Sequence, residues 1–165
     1  MAGNVSKDTG APIRDGIKCI ARLGDCPDVL WPYMTSKYAV RPPELSYVQA
    51  RKYRAVRYKR LAQKAEHLKS CLASDYPFIF GIKVYKGFES TETQKTGHVF
   101  PPVKGQKPIG GHAVMAVGYD DSNRRFMVRN SWGDKWGIKG YFTLPYPYAL
   151  NEALASDFWT IRVVT

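Results

Sequence analysis

The stretch VRNSWGDKWGIKGYF, residues 128–142, carries the densest pattern in the chain. It opens on strand-type residues and passes Asn130 and Trp132. Gly133, Gly137 and Gly140 then stand among polar residues, and the stretch closes on Tyr141-Phe142. Glycines at such intervals permit tight turns that other residues resist. The segment upstream, GGHAVMAVGYD (110–120), reads as an apolar strand introduced by two glycines and a histidine. DDSN (120–123) reads as a hairpin turn and RFMVRN (125–130) as the returning arm. In such an antiparallel hairpin His112 and Asn130 come near each other, because both arms run back from the turn by comparable lengths.

That juxtaposition has chemical meaning. An amide oxygen can accept the N–H of an imidazole and fix its tautomer, the task of the third member of a nucleophile–base–orienter triad. Trp132 would cover the pair and keep water from competing for the bond. Gly110 and Gly111 would let backbone approach His112 closely. The other histidines offer less. His67 lies in a basic segment and His98 in a polar loop, neither beside a cysteine or carboxylate at ligand spacing, so both are assigned surface or structural roles. No metal site and no cofactor is expected.

Working outward, FIFGIKVY (78–85) alternates Phe78, Phe80, Ile82 and Val84 on one side of a strand. GYFTL (140–144) and FWTIRV (158–163) complete an antiparallel set. Ile13, Ile17, Ile20 and Leu23 repeat at helical spacing, and Gly24 stops that helix. Leu61, Ala65, Leu68 and Leu72 predict a helix over 60–73, whereas 50–58 suits either strand or helix. Residues 87–111, rich in glycine and proline, read as one long loop of the kind that is functional or mobile. Helices first and an antiparallel sheet second make an α+β fold. The expected division is a helical region over 1–50 and a β-rich lobe over 51–165 that carries the His/Asn pair.

The chain has 165 residues, 44% hydrophobic and 24% charged, which excludes wholesale disorder. No apolar run is long enough to span a membrane. The N-terminus lacks an apolar signal core, and Cys19, Cys26 and Cys71 are too few and scattered for a disulfide scaffold. These features point to a reducing, intracellular compartment. Net charge is +11, and Arg51 to Lys69 supplies +7 of it: Arg51, Lys52, Arg54, Arg57, Lys59, Arg60, Lys64 and Lys69 against Glu66. Such a run can face an acidic partner, a nucleic acid or a lipid surface, or be a solvated face between packing residues. Tyr53 and Tyr58 are a thin stacking platform, so nucleic acid is not the expected partner.

On these motifs the chain resembles the papain-like cysteine peptidases. GGHAVMAVGYD resembles the family's histidine strand, and NSWGDKWGIKGYF its asparagine motif. DTGAPIRDGIKCIARLGDCPDVLWPY (8–33) resembles, less strongly, the stretch from the substrate-cleft glycines to a Tyr-Pro-Tyr-like anchor, here Trp31-Pro32-Tyr33. KSCLASDYPFIFGIKVYKGFES (69–90) resembles the helix-then-strand segment of bacterial-type members. The resemblance implies a truncated papain-like fold, with a remnant of the helical left lobe and the barrel-like antiparallel sheet of the right lobe. It implies His112 as general base, Asn130 as orienter, and Trp132 and Gly111 as site support. Gly10 and Ala113 would then line the path of an extended peptide.

The family's nucleophile sits in a Cys-Gly-Ser/Ala-Cys-Trp/Tyr setting with His and Asn roughly 130–150 residues downstream. Counted back from His112 and Asn130, that cysteine is expected before Met1. Neither Cys19 nor Cys26 has these neighbours, and no Gln stands at the spacing of the oxyanion donor. The resulting expectation is a peptidase homologue with base and orienter but no nucleophile, inactive as an isolated chain. The alternative is a non-catalytic papain-like module that binds a peptide or protein within an assembly. Loss of the nucleophile helix is expected to expose apolar surface around Ala113, Val114 and Trp132, and so to favour self-association or a second chain there.

Overall fold

The computed structural model describes residues 10–165. The chain forms two compact units, one of residues up to Lys59 together with Ile161–Thr165, the other Arg60–Thr160.

The first unit holds helix α1 (Ile13–Leu23), helix α2 (Glu44–Ala50) and all but the last residue of strand β1 (Ala55–Arg60). Helix α1 has the bounds its periodicity predicts, and Gly24 ends it at φ +88°, with its N–H on the Ile20 carbonyl. A side chain on Gly24 would collide with the Ala50 carbonyl, so glycine is required there for packing as well as conformation. Helix α2 starts directly after Pro43, in the segment read as a break; proline is compatible with a helix start because its missing N–H would be unpaired anyway. Arg54 and Thr165 exchange backbone-directed hydrogen bonds and tie the C-terminus beside β1.

The second unit contains helix α3 (Ala65–Ala73), strand β2 (Phe78–Val84), helix α4 (Thr91–Thr96), strands β3 (Gly110–Asp120), β4 (Arg125–Arg129) and β5 (Tyr141–Pro145), short helix α5 (Tyr146–Ala149) and the first part of β6 (Ala155–Val164). Its strand order is β6-β2-β3-β4-β5, and β2–β3, β2–β6, β3–β4 and β4–β5 pair antiparallel. The alternation read in FIFGIKVY is real: Phe78, Phe80, Ile82 and Val84 are all buried. Phe80 stacks on Phe158 at 5.0 Å and Phe78 meets Phe126 edge-on at 6.0 Å, geometries that add to simple burial.

Three expectations change. The helix over 60–73 begins only at Ala65, because Lys64 is extended and the Leu61 N–H bonds the Phe158 carbonyl instead of a helical partner. The loop over 87–111 is partly built. Ser90 caps α4 by accepting from the Thr93 N–H, and Gly97 closes it in the left-handed conformation. Arg125 donates to Thr143 and to the Val99 carbonyl, which fastens the chain just after α4 to β5. The basic run is not one element. It crosses from the end of α2 through β1 into α3, and Lys69 is paired with Asp121 at 2.7 Å.

Candidate active site

Strand β3 presents its even-numbered residues to the core. Val114 and Ala116 are buried in the cluster that also holds Leu68, Phe80 and Phe126, while Ala113 is exposed on the opposite face. His112, paired in register with Ile82, shares the Val114 face at its outer end. The expected exposed patch is therefore corrected at one position: Val114 is only 4% exposed, because strand period two turns it inward. Ala113 and Trp132, 42% exposed, do face outward.

Strand β4 brings Asn130 up from the other arm. Met115 pairs with Arg129, and that register, shifted by an irregularity between Ala116 and Gly118, sets Asn130 one diagonal step from His112. The Asn130 N–H donates to the Gly140 carbonyl at 2.9 Å, which fixes its backbone against the turn. His112 Nε2 then lies 2.8 Å from Asn130 Oδ1.

The direction of that bond is set by a third partner. The Ser131 N–H donates to the same Oδ1 at 2.8 Å. A backbone N–H can only donate, so Oδ1 is the amide's oxygen end and the imidazole must donate to it from Nε2. In the neutral ring the lone pair is thereby left on Nδ1. Ser131 was missed in the sequence because only its main chain acts.

An aromatic shell holds the ring. Trp132 stacks over His112 with centroids 5.0 Å apart. Phe88 meets His112 edge-on at 6.1 Å and Trp132 at 5.3 Å, and Trp136 stacks on Phe88 at 5.2 Å. Phe88 comes from the segment read as loop, where no periodicity marks it as buried. Asn130 Nδ2 and Trp136 Nε1 are buried here without a hydrogen-bond partner among the described residues. The glycines of the turn are needed at Gly137, φ +62°, where a side chain would stand 2.3 Å from the Tyr141 carbonyl oxygen. Gly110 and Gly111 do otherwise than expected: a side chain at either would meet open space or, for Gly111, only the Ile82 oxygen at 4.0 Å.

Gly10 is at the first described position, in the other compact unit, with φ +72°. Cys71 is buried with its Sγ on the Tyr76 carbonyl, while Cys19 and Cys26 are half-buried free thiols of the first unit. Among the described residues no group of three or more His, Cys, Asp or Glu could hold a metal, and no helix is long and apolar enough to cross a membrane.

A histidine strand, an asparagine-bearing hairpin arm and a tryptophan lid on one antiparallel sheet are the features of a papain-type cysteine peptidase, and the chain belongs to that family: the model of papain family cysteine proteases matches residues 24–153. It is 42% identical to an uncharacterized peptidase C1-like protein of Acanthamoeba polyphaga mimivirus, over all of this chain and 56% of the viral protein. A cathepsin B-like protein of Giardia intestinalis is 33% identical over 56% of this chain and 30% of its own length. Xylellain, a cysteine protease from Xylella fastidiosa, superposes with a TM-score of 0.92 and 41% identity, covering 99% of this chain and 66% of that one. Digestive procathepsin L 3 of Tenebrio molitor shares the fold, with a TM-score of 0.72 at 18% identity over 93% of this chain and 49% of its own. The chain thus spans about half the length of the viral relative and less of the Giardia protein.

Proposed function

We propose that this chain supplies the base and the orienter of a Cys-His-Asn peptide-bond hydrolase, and that the thiol reaches His112 from residues other than Cys19, Cys26 and Cys71. The observation that carries this reading is the double acceptance at Asn130 Oδ1, which leaves Nδ1 of His112 as the free base. In the proposed cycle Nδ1 takes the thiol proton and the thiolate attacks the peptide carbonyl carbon. The imidazolium then protonates the leaving amine as the C–N bond breaks. Water attacks the acyl-enzyme with Nδ1 again as base, and the acid product leaves as the thiol is restored. Asn130 holds the ring in register throughout, and Trp132 limits access of water to the Nε2–Oδ1 bond.

The test compares the 165-residue chain alone with the same chain joined to a segment carrying the Cys-Gly-Ser/Ala-Cys-Trp/Tyr pattern. The lone chain is expected to hydrolyse no peptide under reducing conditions, and the joined chain to do so. In the joined protein His112→Ala should lower kcat/KM by about 10³-fold or more. Asn130→Ala, a loss of positioning, should lower it by about 10²-fold. Hydrolysis by the lone chain that Cys26→Ser or Cys19→Ser abolishes would sink the proposed source of the thiol.

A second reading is a non-catalytic module that engages a second copy or another protein. It draws on the exposed apolar residues of the first unit, among them Tyr33 at 86% and Leu45 at 57%. Light scattering that finds a clean monomer at all concentrations, with nothing co-purifying, would remove it.

A further inference from the structure

The basic residues of the first unit are not spread evenly. A cavity of about 650 Å³ is lined by Arg22, Arg41, Arg51 and Arg54, with Glu44 and Tyr47. The only acid among them, Glu44, stands 3.8 Å from Arg41 with both side chains largely exposed. It offsets one charge in four, and weakly, since exposed pairs are screened. Arg22 and Arg51 have no acid within ion-pair distance among the described residues.

Ordinary structural roles cover part of this cluster. Arg22 occupies the last turn of α1, where a cation complements the helix dipole. Arg54 donates from Nε and Nη2 to the Ala21 carbonyl, at 3.0 and 2.9 Å, satisfying a group the helix end leaves open. That anchoring uses two of its five N–H groups and holds the other three in place. Arg41 lies over the Tyr47 ring at 5.5 Å, which orders a second guanidinium. Helix capping does not account for Arg41 and Arg51 lining the same concavity, where all four guanidiniums are solvent-exposed and open to a ligand.

We propose that this cavity is a binding site for a small oligophosphate, the chemical class with two or three linked phosphoryl groups. Guanidinium forks match phosphoryl oxygens bidentately, and four of them exceed what one carboxylate or one orthophosphate can neutralise. The volume lies in the range of small-molecule sites. A nucleic-acid strand would call for a long groove with successive stacking rings, and the cavity has one ring, already under Arg41. The site lies wholly in the unit that lacks His112 and Asn130, so it stands apart from the peptidase reading.

Calorimetric titration of the 165-residue chain at physiological ionic strength tests it, with inorganic tripolyphosphate, a nucleoside triphosphate and orthophosphate as probes. Tripolyphosphate is expected to bind at least about tenfold more tightly than orthophosphate. Equal affinity for the nucleoside triphosphate makes the phosphate chain the whole ligand; tighter binding of the nucleoside form adds a contact to the base or sugar. The double variant Arg22→Gln/Arg51→Gln should weaken binding at least about tenfold, whereas Lys104→Gln/Lys107→Gln in the other unit should leave it unchanged. On the unmodified chain, the Arg22, Arg41, Arg51 and Arg54 Nε–H resonances should shift on titration, a readout that holds even if the double variant misfolds. Absence of saturable binding, shifts at other basic residues in place of these four, or equal weakening by the lysine variant would overturn the proposal.

Discussion

The two compact units treat their apolar residues differently. In Arg60–Thr160, Phe78, Phe80, Phe126, Phe142, Phe158, Leu68, Leu144 and Tyr148 are fully enclosed. The other unit contributes Ile17 to that class and exposes Tyr33, Val40, Leu45, Val48 and Val56. Helix α1 shows the contrast within one element: its four apolar positions share a face, yet only Ile17 is buried. Helical periodicity says where a face is, and it does not say what covers it. In the sheet unit Leu68 and Leu72 of α3, with Phe126 and Phe158, pack in one cluster with the inward residues of β2 and β3.

The largest effect that would sharpen this contrast is in the core. Phe80→Ala should destabilise the sheet unit by about 3–5 kcal/mol, because it removes a fully buried ring stacked on Phe158. Ile17→Ala should stand at the low end of core truncations, about 2 kcal/mol, since the other apolar residues of its helix face are only half-buried. Urea denaturation of both variants measures the difference, and equal losses would break the comparison.

A smaller effect is alkaline. Burial, followed by the neighbouring Tyr85, raises the Tyr148 phenol to about 12, and its O–H donates to the Lys83 carbonyl. The phenol is neutral below its unfolded value near 10, so this contribution is whole at neutral pH and is lost as pH rises through about 12. Tyr148→Phe should cost about 1 kcal/mol at neutral pH and flatten the alkaline limb of thermal stability. An unchanged limb would show that Tyr148 does not titrate with unfolding.

The smallest effect is acidic and lies on the surface. Hydrogen bonds from Lys69 and Tyr146 hold the Asp121 carboxyl below its ordinary value. Its contribution is present above the unfolded carboxylate range and is lost as pH falls through the lowered value. Asp121→Asn should lower stability slightly at neutral pH and leave it unchanged in acid, so that unfolding becomes less sensitive to pH; melting curves between acid and neutral pH show whether the two proteins converge as pH falls.

Much of the sheet unit was legible because period two is a direct consequence of backbone geometry. FIFGIKVY carries its inward and outward residues in plain alternation, whereas GGHAVMAVGYD, apolar at nearly every position, marked a strand without marking its faces. The short helices were harder. Seven residues in α2 and six in α4 give less than two turns of pattern. For α4 a signal did exist: Ser90 as cap, Thr93 three residues on, and Gly97 at the end. The start of α3 was misplaced because Leu61 fits the helical spacing while its N–H is claimed by Phe158 across the sheet. In the site, His112, Asn130 and Trp132 announced themselves through side-chain type and spacing. Phe88 and the Ser131 N–H did not, since one sits in irregular chain and the other acts through the backbone.

By itself the sequence determined the hairpin of β3 and β4 and named the side chains able to do acid–base work, because those depend on periodicity, turn chemistry and side-chain type, all local properties. Only the tertiary structure decided the tautomer of His112, which needs two nitrogens, one on β3 and one just past β4, to meet at one oxygen. It alone turned Val114 inward, closed Phe88 under the lid and gathered four arginines, scattered over more than thirty positions of sequence, around one cavity. Convergence of that kind depends on how distant elements pack, and no window along the chain contains it.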